Sequence, residues 1–264
     1  MLTAIQVDTH THTVLSGHAW STLQENAAAA RERDLFGLCL TEHGPRMPGG
    51  GTDIIPAAQN MLPKTVNGIR VYKGTEANIV DFNGLLDIGS KFLSRTEFAI
   101  ASLHDICMQP GDAVQNTGAL LAAINTDRID MLGHLDDPKV PCELDTLVTE
   151  TNRLGKLVEI NNNSLAVRRN SEPNVVTLAK LCMRLQAPVC VSSDAHFATM
   201  VGAVDNALAL LNRLGFPEEL VINRNFDIFD AYINRKAPPG KYSVRIESAS
   251  VSDIAAKISA RGGA

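Results

Sequence analysis

The chain has 264 residues, of which 45% are hydrophobic and 20% are charged, and its formal net charge is −5. This composition excludes an intrinsically disordered chain, because there is enough apolar side-chain surface to bury a full core. The acidic balance, without any block of Lys and Arg, excludes an extended nucleic-acid surface.

The chain also lacks the signals that direct a protein to a membrane. Its first residues, MLTAIQVDTHTH, lack the basic and apolar regions of a secretion signal. No apolar run approaches the roughly 20 residues needed to cross a bilayer. The five cysteines form no CxxC pair, which is typical of buried free thiols in a reducing compartment. The sequence therefore predicts a cytoplasmic protein with no membrane partner.

Short apolar segments alternate with helical patterns along the chain. The predicted strands are 4–8, 36–41, 69–75, 98–102, 129–133, 156–160 and 187–193, and the predicted helices are 21–34, 116–127, 143–155, 172–186 and 203–215. Several strands are apolar throughout, as expected of strands buried on both faces. Strand and helix in alternation indicate a parallel sheet with right-handed crossovers. With seven strands at this length, the pattern favours a closed α/β barrel.

A Pro-Pro-Gly break at 238–240 separates the end of the chain from this alternation. We therefore predict a barrel domain over 1–235 and a C-terminal extension over 236–264. The extension could pack on the barrel or contribute to an oligomer contact, so a homo-oligomer stays open at this point.

The histidines follow the predicted strand ends. His10 and His12 follow the first strand, with His18 in the loop after it, and the others follow the second, fourth, fifth and seventh strands: His43, His104, His134 and His196. The C-terminal strand ends of a parallel barrel converge on the face that carries the active site. Close-packed neutral imidazoles suit a metal cluster.

Two carboxylates occupy the same kind of position. Glu76 follows the third strand and Asp194 follows the seventh. A ligand set of nitrogen and oxygen without thiolate suits zinc, with manganese or iron as alternatives. Nine candidate ligands would serve about three divalent ions.

These motifs together resemble the PHP (polymerase and histidinol phosphatase) superfamily. The matching segments are "DTHTH", "TEHG", "GTEANI", "GH" at 133–134, "EINNNS" and "SSDAH", in that order from Val7 to about residue 235. The longer phrases "HAWSTL", "EANI" and "EINN" resemble the YcdX-type stand-alone phosphatases. The resemblance implies a distorted seven-stranded (β/α)7 TIM-like barrel, commonly with three zinc ions.

The resemblance also implies how the ligands are divided. The first metal would take His10, His12, Glu76 and Asp194, the second Glu76, His104 and His134, and the third His18, His43 and His196. Glu76 would bridge the first two ions, and Glu76, Asp194 and His196 would be catalytic.

The chain departs from the usual pattern at two motifs. The usual "TDHG" is "TEHG" here, so Glu42 changes the contacts around His43. After His134 the usual proline-containing phrase is replaced by "LDDP", with Asp136 and Asp137. Two carboxylates near the rim would repel anionic substrates.

The loop after the sixth strand, "EINNNSLAVRRNSE", is expected to supply no metal ligand but to hold the substrate. Arginine binds phosphate through a planar two-point fork. Either Arg168 or Arg169 would contact the substrate phosphate, and the sequence leaves the choice open.

The sequence thus predicts a metal-dependent phosphoesterase acting on a small phosphomonoester by attack of a metal-bridging hydroxide. One alternative is an amidohydrolase, which typically bridges its metals with a lysine carbamate instead of a carboxylate such as Glu76. Another is a non-catalytic PHP metal-binding domain, although such domains generally lose ligands. Histidinol phosphate, other small phosphomonoesters and nucleotide phosphates all stay open as substrates.

Overall fold

The computed structural model describes residues 1–235, and the predicted extension over 236–264 lies outside the described residues. The strands are β1 (Val7–Thr11), β2 (Gly37–Leu40), β3 (Thr65–Val66), β4 (Ile69–Asn78), β5 (Phe98–Ser102), β6 (Met131–Leu132), β7 (Leu157–Asn161) and β8 (Val189–Ser192). The α-helices are α1 (Leu23–Glu32), α2 (Ile55–Ala58), α3 (Ser90–Leu93), α4 (Ala113–Ile124), α5 (Leu144–Arg153), α6 (Asn162–Val167), α7 (Glu172–Leu185), α8 (Asp205–Arg213) and α9 (Phe226–Asn234).

Seven of the strands form the wall of a nearly closed barrel. They run parallel in the order β1, β2, β4, β5, β6, β7 and β8, and the short β3 pairs antiparallel with β4. Strands β2, β5 and β8 are buried at every position, because helices cover the outside while side chains fill the inside. The predicted α/β TIM-like barrel is confirmed.

The seam between β1 and β8 is closed partly by a side chain. The backbone N–H of His12 donates to the carbonyl of Ala195 at 2.9 Å. Further down the seam, Asn223 Nδ2 donates to the carbonyls of Val7 and Val191, each at 2.7 Å. Asn223 Oδ1 accepts from the Val191 N–H at 3.0 Å. The buried Asn223 side-chain amide thus replaces hydrogen bonds that the two strand backbones do not make with each other. It pairs backbone groups on the edges of both β1 and β8.

Two strands extend further than the apolar pattern predicts. Strand β1 runs to Thr11 and β4 runs to Asn78, although both end in polar residues. All five positions of β1 are buried, as are the last five positions of β4. The polar ends remain in the sheet because their side chains find polar partners inside the barrel. As a result, His10 and Glu76 lie within regular strands, which restricts their positions.

Two of the outer helices begin with side-chain caps. Thr22 and Glu25 form a reciprocal capping box at the start of α1, and Asp112 and Gln115 form another at the start of α4. No helix among residues 1–235 is both long and apolar enough to cross a membrane.

The N-terminal end of the barrel is filled by apolar side chains. Tyr72 and Phe98 point inward from the wall, and Phe229 of α9 packs against both, with ring centroids 5.2 and 5.6 Å apart. Tyr232 of α9 is also buried there. Helix α9 therefore closes this end of the barrel.

Candidate metal centre

The structure brings all nine predicted ligands together at the C-terminal end of the barrel. His10, His12, His43, Glu76 and His134 are buried, whereas His18 is exposed. Donor atoms lie within 4.8 Å of one another in four triads: His12–His43–His196, His10–His134–Glu159, His10–His12–Glu76 and His43–Glu76–His104. Asp194 and His18 join the cluster through contacts with His12 and His196.

Glu76 occupies the middle of the cluster, and its two oxygens face different histidines. Oε2 lies 2.9 Å from His43 Nδ1 and 3.1 Å from His10 Nε2. Oε1 lies 3.1 Å from His134 Nε2 and 3.3 Å from His104 Nε2. Neither oxygen is hydrogen-bonded, although the side chain is fully buried. One carboxylate therefore separates two groups of imidazoles, as a bridging ligand would.

Several buried imidazole nitrogens also lack a hydrogen bond. These are His10 Nε2, His12 Nε2 and His43 Nδ1. A buried polar atom without a partner costs about 1–3 kcal/mol. Five unpaired nitrogen and oxygen atoms around Glu76 thus lie in one place, without a thiolate, and this donor set fits a borderline-soft divalent cation.

The mouth of the cluster holds the remaining predicted ligands. Asp194 Oδ1 lies 3.3 Å from His12 Nε2 and 3.5 Å from His10 Nε2. His18 Nε2 and His196 Nε2 face each other at 2.9 Å. Asp194 and His134 adopt left-handed backbone conformations, with φ of 52° and 57°. Such conformations are uncommon for non-glycine residues and occur where the surrounding structure fixes a functional side chain.

Glu159 on β7 was missed by the sequence reasoning. Its Oε1 accepts from His10 Nδ1 at 2.6 Å, and its Oε2 accepts from the backbone N–H of His134 at 3.0 Å. The contact leaves His10 Nε2 as the nitrogen that faces the cluster. The available signal was a charged residue inside the apolar run "KLVEI", since a carboxylate in a buried strand requires a partner.

Glu42, the residue that departs from the usual motif, supports His12 through Ser16. His12 Nδ1 lies 3.0 Å from Ser16 Oγ, which in turn donates to Glu42 Oε2 at 2.5 Å. The same hydroxyl oxygen accepts from the backbone N–H of His43 at 3.1 Å. Because the Ser16 O–H donates its hydrogen bond to Glu42, the Ser16 oxygen can only accept from His12 Nδ1–H. The lone pair of the neutral His12 ring is then on Nε2.

The electrostatics of the cluster favour a cation among neutral imidazoles. Burial raises the pKa of Glu76, but His10, His43 and His104 lower that pKa by more. The net result is a pKa well below the ordinary value of a glutamate. Burial and the neighbouring His43 and His196 lower the pKa of His12 well below its ordinary value. An ionised carboxylate beside a neutral imidazole is the protonation state that binds metal.

His10 behaves differently because three carboxylates surround it. Burial lowers its pKa, but Glu76, Glu159 and Asp194 raise it to well above the ordinary value. Burial raises the pKa of Glu159, whereas His10 and His134 lower it, to about 2. The three carboxylates thus favour positive charge at His10, which a bound cation would supply in place of a proton.

The two predicted substrate arginines differ in the structure. Arg168 is mostly buried, and its Nε and Nη1 donate to Asp137 Oδ2 at 3.1 Å and to Ser164 Oγ at 2.7 Å. Arg169 is exposed. Burial lowers the pKa of Arg168, but Asp194, Asp136 and Asp137 raise it above its ordinary value. Asp137 thus pairs with the Arg168 guanidinium group. The expectation that Asp137 repels anionic substrates did not include this ion pair.

Comparison with known proteins places the chain among phosphatases. No family model matches it. It is 38% identical over 225 residues to a probable phosphatase of Caldicellulosiruptor saccharolyticus, covering 85% of this chain and 94% of that protein. It is 39% identical over 232 residues to a probable phosphatase of Caldanaerobacter subterraneus, covering 87% of this chain and 91% of that protein.

Solved structures share the fold at much lower identity. One is a histidinol phosphate phosphatase from Lactococcus lactis in complex with zinc, L-histidinol and phosphate. It aligns with a TM-score of 0.56 and 16% identity over 80% of this chain and 94% of that chain. From the identity to its relatives over most of its length, the chain belongs to the family of these probable phosphatases.

Proposed function

We propose that this protein is a metal-dependent phosphoesterase that hydrolyses a small phosphomonoester at a centre of three divalent ions, with zinc as the first candidate. One observation carries the proposal. The two unpaired, buried oxygens of Glu76 face separate sets of histidines, each within 3.3 Å. Without cations, this arrangement leaves several buried polar groups unsatisfied.

The proposed ligand division is the one that the family resemblance implies, and the contacts of Glu76 with His10, His104 and His134 agree with its first two sets. The first ion would take His10, His12, Glu76 and Asp194, the second Glu76, His104 and His134, and the third His18, His43 and His196. The facing Nε2 atoms of His18 and His196, at 2.9 Å, support the third set. His12 also lies close to His43 and His196, so the first and third sets adjoin.

Bound divalent ions would supply Lewis acidity towards phosphate oxygens and would lower the pKa of a water molecule to the neutral range. The chain's own residues prepare this chemistry. Glu76 and Asp194 place negative charge between the imidazoles, and Glu159 and Ser16 orient His10 and His12. His196 is partly exposed, so a substrate can reach it. We assign catalytic roles to Glu76, Asp194 and His196 on this basis.

Arg168 is the stronger candidate for binding the substrate phosphate. Asp137 and Ser164 hold two of its nitrogens, which fixes the plane of the guanidinium group at little further loss of side-chain entropy on binding. Asp194 is the first of the carboxylates that raise the pKa of Arg168, as expected of a guanidinium group near the cluster. Arg169 is exposed and would lose more conformational freedom on binding a substrate.

The test measures metal content and hydrolysis on the same sample. Nine ligand positions with Glu76 shared predict about two to three equivalents of zinc, manganese or iron per chain. The substrate panel contains histidinol phosphate, other small phosphomonoesters and nucleotide phosphates, with amide and carboxylic ester substrates beside them. Chelation should abolish phosphomonoester hydrolysis, and re-addition of metal should restore it.

The outcomes separate the proposal from its alternatives. Less than about one equivalent of metal after reconstitution contradicts the trinuclear centre, since one ion could not satisfy both oxygens of Glu76 and the histidines they face. Metal-dependent cleavage of amides without phosphatase activity would indicate an amidohydrolase. A full metal complement with no turnover of any class would indicate a non-catalytic domain.

A further inference from the structure

We propose that Asp87 is a positioning residue of the metal centre. It sets the orientation of His104 through Asn78 and fixes the backbone next to His43 through Gly44. Asp87 lies outside every motif that the sequence reasoning singled out. The proposal rests on the proposed metal centre, and its test measures metal affinity, so that the two can fail separately.

The contact with Asn78 determines which nitrogen of His104 faces the cluster. Asn78 Nδ2 lies 2.7 Å from Asp87 Oδ2, and the Asn78 backbone N–H donates to Asp87 Oδ1 at 2.9 Å. An ionised carboxylate can only accept hydrogen bonds, so the NH2 group of Asn78 must be the end that faces Asp87. The carbonyl end, Oδ1, then faces His104 Nδ1 at 2.8 Å.

The consequence for His104 follows directly. Since Asn78 Oδ1 is an acceptor, His104 must carry a proton on Nδ1 and donate it. In the neutral ring the lone pair is then on Nε2, which lies 3.3 Å from Glu76 Oε1. The Asp87 carboxylate, which reaches the ring only through Asn78, thus selects the tautomer of His104 that can bind a metal ion.

Asp87 also contacts the segment that follows β2. The backbone N–H of Arg46 donates to Asp87 Oδ2 at 2.9 Å. A Cβ atom on Gly44 would lie 2.3 Å from Asp87 Oδ1, so the carboxylate packs directly against this glycine. Gly44 follows His43 in the chain, and its N–H donates to the carbonyl of Glu76 at 3.1 Å. Asp87 therefore fixes the segments that carry His43 and His104 relative to each other.

A short hairpin delivers Asp87 to this position. Ile79 and Leu86 form an antiparallel bridge, and the Asp87 N–H donates to the carbonyl of Asn78 at 3.0 Å. Asp81 closes the turn by accepting from the N–H groups of Asn83 and Leu85, at 2.9 and 3.0 Å. The hairpin thus contains one carboxylate that shapes its own turn and one that contacts the metal-centre segments, which provides a matched control.

The experiment compares Asp87→Asn with Asp81→Asn. The amide in Asp87→Asn presents a donor where two N–H groups and the NH2 of Asn78 need acceptors, and Asn78 loses its fixed orientation. Zinc affinity, measured by chelator competition, should fall about 10- to 100-fold for one class of site. The visible absorption of the cobalt-substituted protein should change as well. Asp81→Asn should leave both properties unchanged.

Each outcome decides the proposal. Equal zinc affinity and cobalt spectra for Asp87→Asn and the parent protein would overturn it, as would equal losses in Asp87→Asn and Asp81→Asn. If Asp87→Asn does not fold, Gly44→Ala displaces the same carboxylate from the other side and should produce the same loss of zinc affinity. A parent protein that binds no metal would instead contradict the proposed metal centre.

Discussion

The two ends of the barrel bury their side chains equally well but with opposite consequences. At the N-terminal end, Phe229 and Tyr232 of α9 fill the interior against Tyr72 and Phe98. At the C-terminal end, the interior is filled by imidazoles and carboxylates, and Glu76 has no hydrogen bond to either oxygen.

The two ends therefore affect the stability of the barrel in opposite directions. Burying an aromatic side chain stabilises the fold by about 1.5–3 kcal/mol, and favourable ring contacts add about 0.5–1.5 kcal/mol. Burying an unpaired polar atom costs about 1–3 kcal/mol. The apolar end therefore stabilises the fold that holds the unpaired polar atoms close together, and a bound cation would pair with those atoms.

The largest expected effect is at Glu76. Glu76→Gln nearly keeps the shape but removes the charge that would be shared by two ions, so kcat/KM on a phosphomonoester should fall about 10⁴-fold, or about 5.4 kcal/mol. Metal content, measured by elemental analysis, should fall as well. The control is Glu97→Gln, which removes a carboxylate that pairs with Arg70 at the opposite end. Near-normal turnover in Glu76→Gln would show that this carboxylate bridges nothing.

Much of the polar end could be predicted because barrel topology makes strand ends converge. His10, Glu76 and Asp194 are far apart in the chain, yet each follows or ends an apolar strand. The parallel order of the strands then places them on one face. The same rule predicted the fold class, since uniformly apolar strands alternating with helices require cover on both faces.

The contacts that orient the ligands could not be predicted in this way. Glu159 is hidden within an apolar run, and Asp87 reaches Asn78 only because a hairpin folds back. Asn223 closes the seam next to Val7, 216 residues away in the chain. These contacts depend on packing between distant segments, which local periodicity does not encode. Asp137 shows the same limit, because its pairing with Arg168 depends on two separate loops.

The apolar end should respond in the opposite way to Glu76. Phe229→Ala removes a fully buried ring that contacts Tyr72 and Phe98, and the free energy of unfolding should fall by about 3–5 kcal/mol. Denaturant titration measures this loss. Metal content per folded chain should stay at the parental value. Loss of metal from folded Phe229→Ala protein would mean that the two ends are not separable.

A smaller effect is expected where the polar end contacts its support. Ser16→Ala removes the hydroxyl shared by His12, Glu42 and the His43 backbone, so zinc affinity should weaken about 10- to 100-fold. Chelator competition measures the change. Thr117→Val is the control. It removes a buried hydroxyl of the outer helix α4, which donates to the Ala113 carbonyl and accepts from the Glu143 N–H. If both variants keep parental zinc affinity, the hydroxyl does not orient His12.

An effect of similar size is expected at Arg168, beyond the metal ligands. Lysine keeps the charge but cannot hold Asp137 and Ser164 while presenting a planar fork to phosphate. Arg168→Lys should therefore lower kcat/KM by about 1–3 kcal/mol, roughly 5- to 150-fold, with metal content unchanged. Arg169→Lys is the matched control because its side chain is exposed, and it should keep the parental rate. If Arg168→Lys, Arg169→Lys and the double variant all hydrolyse phosphomonoesters at the parental rate, neither arginine binds the phosphate and the metal ions alone must hold it.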